Sequence, residues 1–82
     1  MSLVEFTEEI VLSLVSEKEM VKVKEFPTEN DKEVLIEVMI SENDMPKLIG
    51  KRGKVINSIR TIVQASSYLK DNKNVKINID SI

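Results

Sequence analysis

Apolar residues recur at helical spacing in two segments of this 82-residue chain. The first runs from about Ser2 to Ser16 and carries acidic residues early, which is typical of an amphipathic helix. The second begins at Gly53, continues for four turns and predicts the longest helix of the chain. Its apolar stripe, in which we expect Tyr68 to belong to the core, consists of Ile56, Ile59, Ile62, Val63, Ala65, Tyr68 and Leu69.

Three other segments, 20–26, 33–41 and 75–80, alternate apolar and polar residues. A period of two predicts β-strands with one buried face. The polar stretch Pro27 to Lys32 predicts a turn that joins the first two strands as a hairpin. We expect Ser81 and Ile82, which follow the last strand, to fray.

A short helix is predicted before the long one. Ser41 to Asp44 offers capping side chains, Pro46 suits a first helical turn, and the helix has to stop at Gly50. The resulting order is αββααβ. We therefore predict an α+β fold in a single domain over residues 1–82, with a three-stranded mixed sheet covered on one face by three helices.

The composition narrows the classes of function. The chain is 41% apolar and 32% charged, which is typical of a folded, water-soluble domain. It has no cysteine and no histidine, so thiolate nucleophiles, imidazole bases and the usual zinc ligands are missing. We expect neither an enzyme nor a cofactor. No apolar run approaches the roughly 20 residues that cross a bilayer, and the first residues are acidic, so we expect a cytoplasmic protein.

The charge is distributed unevenly along the chain. Residues 1–44 hold four lysines against twelve acidic residues, a net charge of −8, whereas residues 45–82 hold eight Lys or Arg against two acidic residues, a net charge of +6. The whole-chain charge of −2 conceals this difference. The basic half is the candidate surface for an anionic partner.

The two glycines of the chain, Gly50 and Gly53, stand three apart between the two C-terminal helices. Glycine permits a positive φ and a close approach by another backbone, and the start of the following helix offers free N–H groups. Lys51, Arg52 and Lys54 add positive charge at the same place. Phosphate groups of a polyanion fit this combination.

Ordinary helix capping is the alternative explanation of these glycines. A turn between two helices needs only one glycine, however. Here the second glycine and the two basic residues coincide with flanking Ile49 and Ile56. The coincidence favours a binding loop.

The segment Leu48 to Ile56 resembles the signature of KH domains, and Ser58 to Ala65 is similar to the bacterial KhpA (YlqC) family, whose type II KH arrangement is αββααβ. The resemblance implies single-stranded RNA binding and a role as an RNA chaperone or post-transcriptional regulator. It implies the following RNA-binding residues: Gly50, Lys51, Arg52 and Gly53 clamping the backbone of about four nucleotides, Ile49 and Ile56 lining an apolar groove, and Lys54 and Asn57 at its rim.

Two features depart from the family pattern. Pro46 stands where relatives commonly have glycine, and the loop 27–32, expected to form the far wall of the groove, carries Glu29 and Asp31. Aromatic residues for base stacking are also scarce, so we expect weak binding. A weak module gains from pairing, and the resemblance supplies a KhpB (Jag/EloR-type) KH protein as a partner, besides a homodimer.

The residues leave several alternatives open. A protein-interaction or assembly module could use the acidic half on the same scaffold, and an enzyme would have only carboxylates and hydroxyls, with no base to organise them. Lys47 and Arg60 are equally well explained as RNA contacts and as solvated helix residues. The sequence does not decide between RNA and single-stranded DNA.

Overall fold

The computed structural model describes all residues 1–82 and has the predicted order of elements. Its helices and strands are α1 (Leu3–Leu12), β1 (Lys22–Pro27), β2 (Glu33–Ile40), α2 (Met45–Ile49), α3 (Lys54–Lys70) and β3 (Asn74–Ser81). Single 3-10 turns lie at Lys18–Met20, Glu42–Asp44 and Lys51–Gly53.

The sheet has the strand order β1-β2-β3, with β1 antiparallel and β3 parallel to the central β2. In β2, alternate residues are buried, and Ile36, Val38 and Ile40 are completely enclosed. Their neighbours across the sheet include Val23 and Ile77, which are also buried. The helices cover this face, as an alternating strand pattern requires. The predicted α+β fold with a mixed three-stranded sheet is confirmed.

Helix α1 begins at the predicted position but ends four residues before Ser16. Ser2 caps it, and the side chain of Glu5 accepts in return from the Ser2 N–H, which is a capping box. The buried residues follow a spacing of four and include Thr7, whose hydroxyl donates to the Leu3 carbonyl at 2.8 Å. This internal hydrogen bond satisfies a polar group in the core that the apolar pattern did not predict.

The predicted stripe on α3 is partly wrong. Its buried side consists of Ile56, Ile59, Val63 and Ser67, whereas Ile62, Tyr68 and Leu69 are 49%, 51% and 88% exposed. At about 100° per residue the four buried residues form a stripe roughly 80° wide, and Ile62, Tyr68 and Leu69 lie about 100° or more from its centre. The prediction that Tyr68 lies in the core is wrong: its hydroxyl donates to the Asn74 side chain at 2.6 Å at the surface.

The end of the chain is also more ordered than predicted. Ser81 is the last residue of β3 and pairs with Ile40, and the N–H of Ile82 donates to the Ile40 carbonyl at 2.9 Å. The expectation that Ser81 and Ile82 fray is therefore wrong, because β2 is long enough to give both a partner. No helix of the chain has the length and apolarity needed to cross a membrane.

Candidate nucleic-acid interface

The loop between α2 and α3 has an unusual backbone. Gly50, Arg52 and Gly53 all have positive φ, at 76°, 57° and 75°. Glycine adopts such angles without strain, but Arg52 occupies the left-handed region at a cost of about 1 kcal/mol. Three such residues within four positions turn the chain sharply, so that the loop (Gly50–Gly53) projects between the ends of the two helices.

Gly50 is required by close packing as well as by its φ. A Cβ at this position would lie 2.4 Å from Val55 Cγ2 and 2.9 Å from the Val55 backbone nitrogen. At Gly53 the nearest atom, Asn57 Nδ2, would lie at 3.8 Å, which is ordinary contact. The first glycine is therefore required for the close packing of the loop against α3, whereas a Cβ at the second would make only ordinary contacts with Asn57 and Ile56. Sequence reasoning missed Val55 as the partner of Gly50.

The loop offers donors that nothing in the protein uses. The hydrogen bonds of the 3-10 turn Lys51–Gly53 run from the N–H groups of Gly53 and Lys54, and no hydrogen bond outside the helices and strands has the Lys51 or Arg52 N–H as its donor. Lys51, Arg52 and Lys54 are exposed, and neither of the two ion pairs of the chain involves them. Consecutive free N–H groups in a tight turn form a concavity suited to an anion.

The remaining predicted residues surround this loop. Ile49 is 38% exposed beside it, whereas Ile56 is 6% exposed and packs in the core. Asn57 is exposed on the first turns of α3, one helical turn from Gly53. The structure thus brings the eight predicted residues together, with Ile49 as the accessible apolar side chain and Ile56 mainly supporting the helix.

Arg60 and Lys47, left open by the sequence, have partners within the protein. The Arg60 guanidinium donates to the Ile77 carbonyl at the free edge of β3 and to Asn57 Oδ1, each at 3.3 Å. The Lys47 ammonium donates to the Ser16 hydroxyl and lies 3.6 Å from Asp44 Oδ1. Both contacts favour the structural explanation of these two cations.

Asp44 is a further residue that sequence reasoning did not connect to the loop. Its side chain is 1% exposed, and its two oxygens accept from the N–H groups of Glu17 and Ser16 at 2.9 Å each. These two backbone hydrogen bonds hold the pKa of Asp44 below its ordinary value of 3.8, against the opposing effect of burial. The contact joins residues 28 apart in the chain, so no local sequence pattern predicts it.

The loop 27–32 does not form the far wall of the site. It lies beside Lys73 and the beginning of β2, and the N–H of Asn74 donates to the Lys32 carbonyl. The Lys73 carbonyl accepts from the Ser67 hydroxyl near the end of α3, whereas the Gly50–Gly53 loop precedes the start of that helix, about 20 Å away along its axis. The prediction that Glu29 and Asp31 face the bound strand across the groove is therefore wrong.

Comparison with known proteins gives consistent results. The family described as "KhpA/KhpB, KH domain" matches residues 4–79. The chain is similar to RNA-binding protein KhpA of Clostridium perfringens, with 40% identity over 92% of this chain and 96% of that protein. It is similarly related to RNA-binding protein KhpA of Borreliella burgdorferi, with 36% identity over 93% of this chain and 89% of that one.

Among solved structures, the fold is similar to part of Era in its crystal structure with MgGDPNP and nucleotides 1506-1542 of 16S ribosomal RNA. The TM-score is 0.65 at 23% identity, and the match covers 96% of this chain and 29% of the Era chain. This likeness concerns the fold. No group of three His, Cys, Asp or Glu side chains in the chain is placed to hold a metal ion.

Proposed function

Since the chain belongs to the KhpA/KhpB family of KH domains, we propose that it is a single KH domain that binds single-stranded RNA through the Gly50–Gly53 loop. The observation that carries the proposal is the loop itself. It combines three positive φ angles with two unused N–H groups and three unpaired cations. Relatives at 36–40% identity are named RNA-binding proteins.

The proposed clamp works through close approach and charge. Gly53 leaves room for the sugar-phosphate backbone beside Asn57, while the N–H groups of Lys51 and Arg52 donate to phosphate oxygens. Lys54 and the loop cations supply a sequence-independent attraction. Asn57 lies at the rim and Ile49 offers apolar contact to the bases, while Ile56, which is 6% exposed, supports this surface from the core.

The proposal includes weak affinity and a partner. No aromatic residue lies in the loop, so base stacking, which contributes about 1–3 kcal/mol per base elsewhere, is absent from the clamp. Pairing with a KhpB-type KH protein, or with a second copy, would join two weak sites into one stronger site. A role as an RNA chaperone or regulator in the cytoplasm, without catalysis, fits such binding.

One observation favours a second candidate, a protein-assembly module. Ile62, Tyr68 and Leu69 expose apolar surface on α3 although the helix has a well-packed inner side. In that case the KH scaffold would serve assembly, and the loop would bind little RNA of its own. The two candidates differ in the expected effect of substituting the loop cations: RNA affinity falls if the loop binds RNA, and it does not change if the chain serves assembly.

The deciding experiment is fluorescence anisotropy with a short labelled single-stranded RNA at 50 and 200 mM salt. The test variant is Lys51→Asp with Arg52→Asp. Aspartate tolerates the left-handed conformation of Arg52 better than most residues, so the variant should fold. We expect it to lose the salt-sensitive binding of the wild type.

The matched control is Lys22→Asp with Lys24→Asp, which makes the same charge change on exposed positions of β1. This control should retain most of the binding. If both variants lost RNA binding equally, the loss would be explained by the overall charge of the protein and not by the loop. Absence of binding by the wild type, alone and with a KhpB-type protein, would favour the assembly module. A single-stranded DNA of the same sequence, measured in parallel, tests the preference for RNA.

A further inference from the structure

Two chain segments far apart in sequence are joined just before α2. The Asp44 carboxylate accepts from the backbone N–H groups of Ser16 and Glu17, one at each oxygen. In return, the Glu17 carboxylate accepts from the Ser41 hydroxyl and from the Asn43 side-chain amide at 3.2 Å. We call this reciprocal set of contacts, made by Ser16 and Glu17 with Ser41–Asp44, the carboxylate clasp.

The geometry of Asp44 shows that the clasp is specific. Asp44 is the residue before α2, yet its side chain makes no capping hydrogen bond to that helix. It is turned instead toward the connection between α1 and β1, where it is 1% exposed and both oxygens are used. A carboxylate with two backbone donors at 2.9 Å is held in one orientation by strong, charge-assisted hydrogen bonds.

The clasp lies next to the binding loop. Helix α2 has only five residues, a rise of about 7.5 Å, and the N–H of Gly50 bonds to the carbonyl of Pro46 in its first turn. Within α2, Leu48 is the one fully buried anchor. So short a helix has little stability of its own, and its position depends on what holds its two ends.

We propose that Asp44 is a positioning residue of the Gly50–Gly53 loop, acting through the start of α2, which the carboxylate clasp fixes against the α1–β1 connection. This inference rests on the proposed RNA-binding function for its effect on affinity, but its effect on the loop is independent of that function. The other end of α2 is fixed by the contact of Gly50 with Val55. The loop is thus held from both sides.

The clasp also engages one cation of α2. Lys47 is on α2, between the clasp and the loop, but its ammonium group is held by the Ser16 hydroxyl and the Asp44 carboxylate. Its side chain remains 52% exposed, so the Asp44 carboxylate offsets its charge only in part.

The test is Asp44→Asn, which keeps the shape but sets an amide donor against one of the two backbone N–H donors. The readout is hydrogen exchange and the chemical shifts of the Gly50, Gly53 and Lys54 amides by NMR, together with RNA affinity by anisotropy. We expect the Gly50 amide to exchange at least about fivefold faster and the affinity for RNA to fall by a similar factor.

Ser2→Ala is the matched control, because it also removes one side-chain acceptor from a backbone N–H at a helix start. Met1 contacts Lys70, at the opposite end of α3 from the loop. The loop amides and the RNA affinity of Ser2→Ala should remain those of the wild type, even if its melting temperature falls as much as that of Asp44→Asn. Should Asp44→Asn unfold the chain, Glu17→Gln, which weakens the clasp from its other side, is expected to shift the same amides by less.

The proposal is overturned if Asp44→Asn lowers the melting temperature but leaves the loop amides unchanged, or if Ser2→Ala changes them equally. If the wild type does not bind RNA, the proposed function fails while the amide measurements still decide the positioning role. If the amides shift but the affinity does not, the clasp moves a loop that RNA does not use.

Discussion

Helices α1 and α3 begin in opposite ways. At α1, the Ser2 hydroxyl accepts from the Glu5 N–H at 3.1 Å, and the Glu5 carboxylate accepts from the Ser2 N–H at 3.2 Å. At α3, the residue before the helix is Gly53, which has no side chain to accept, and the first turn has no acidic residue. The start of α1 is capped by its own side chains. At α3 the Lys54 N–H donates to the Lys51 carbonyl of the preceding 3-10 turn, and the N–H groups of Lys51 and Arg52 are the ones left for an external acceptor.

The difference separates a helix start that is stabilised by its own side chains from the one for which we propose a binding role. A capping box places negative charge at the positive end of the helix dipole and satisfies two donors. Three cations, Lys51, Arg52 and Lys54, lie around the start of α3 instead. A bound anion would neutralise their charge. Arg52 is additionally held in the left-handed region. The protein thus accepts a local cost at the loop and has none at α1.

The largest expected effect is that of Gly50→Ala. The new Cβ would overlap Val55 and the φ of 76° is unfavourable for alanine, so we expect a loss of about 2–4 kcal/mol in the free energy of unfolding. The loop should also move away from α3, and RNA binding should fall to the level of the Lys51→Asp/Arg52→Asp variant. Urea denaturation followed by circular dichroism measures the first effect, and anisotropy the second.

Gly53→Ala is the control for this substitution, since it shares the positive φ but its Cβ would make only ordinary van der Waals contacts. It should cost only about 1 kcal/mol, the price of the left-handed conformation. Equal destabilisation by the two alanines would mean that φ alone, and not the contact with Val55, makes Gly50 necessary.

The next effect is that of Ser2→Ala on α1. Removing the cap should lower the free energy of unfolding by about 1 kcal/mol, because one N–H at the helix start loses its acceptor. Affinity for RNA at a temperature where the variant is folded should not change. Thermal denaturation measures the stability and anisotropy measures the RNA affinity. A loss of affinity would contradict the separation of roles between the two helix starts.

The sequence predicted the α3 side of this comparison, because the glycines and cations of the loop are local features, but it did not predict the capping box of Ser2 and Glu5 at α1. Spacing and the glycines located the loop and its cations correctly, and the alternating strands gave the sheet. The stripe on α3 was drawn too wide because Ile62, Tyr68 and Leu69 are as apolar as the buried residues. Hydrophobicity alone does not tell an inner from an outer apolar position.

What the sequence could not supply were the contacts between distant segments. Asp44 looks like one more capping residue until its partners, 27 and 28 residues away, are known. Likewise, the acidic loop 27–32 was assigned to the wrong end of the sheet, because strand order and direction decide which loops are neighbours. Such contacts depend on tertiary packing, and no local period records them.

A smaller effect is expected when one cation is removed from the start of α3. Lys54→Gln should reduce the slope of log affinity against log salt by about 0.7, the value for one phosphate contact with a single strand. Lys70→Gln, at the far end of the same helix, should leave the slope unchanged. The measurement is a salt titration of RNA affinity between 50 and 200 mM. Equal slopes for wild type and Lys54→Gln would remove Lys54 from the interface.

The smallest effect concerns the pH dependence of the α1 start. The Ser2 N–H and hydroxyl hold the pKa of Glu5 below its ordinary value of 4.5. A carboxyl whose pKa is lower in the folded chain contributes stability that is fully present above 4.5 and is lost as the pH falls through the folded pKa. Glu5→Gln keeps an acceptor for the Ser2 N–H but does not titrate, so it should lack this part of the acid destabilisation.

Protonation of Asp44, whose pKa is held below its ordinary value of 3.8, also destabilises the protein in acid, but it does so equally in the wild type and in Glu5→Gln. The difference in melting temperature between wild type and Glu5→Gln therefore isolates the capping box. We expect that difference to be largest at neutral pH, in favour of the wild type, and to shrink steadily below pH 4.5. A difference that stays constant down to acid pH would mean that the Glu5 charge adds nothing at α1. The contrast with α3 would then rest on the Ser2 hydroxyl alone.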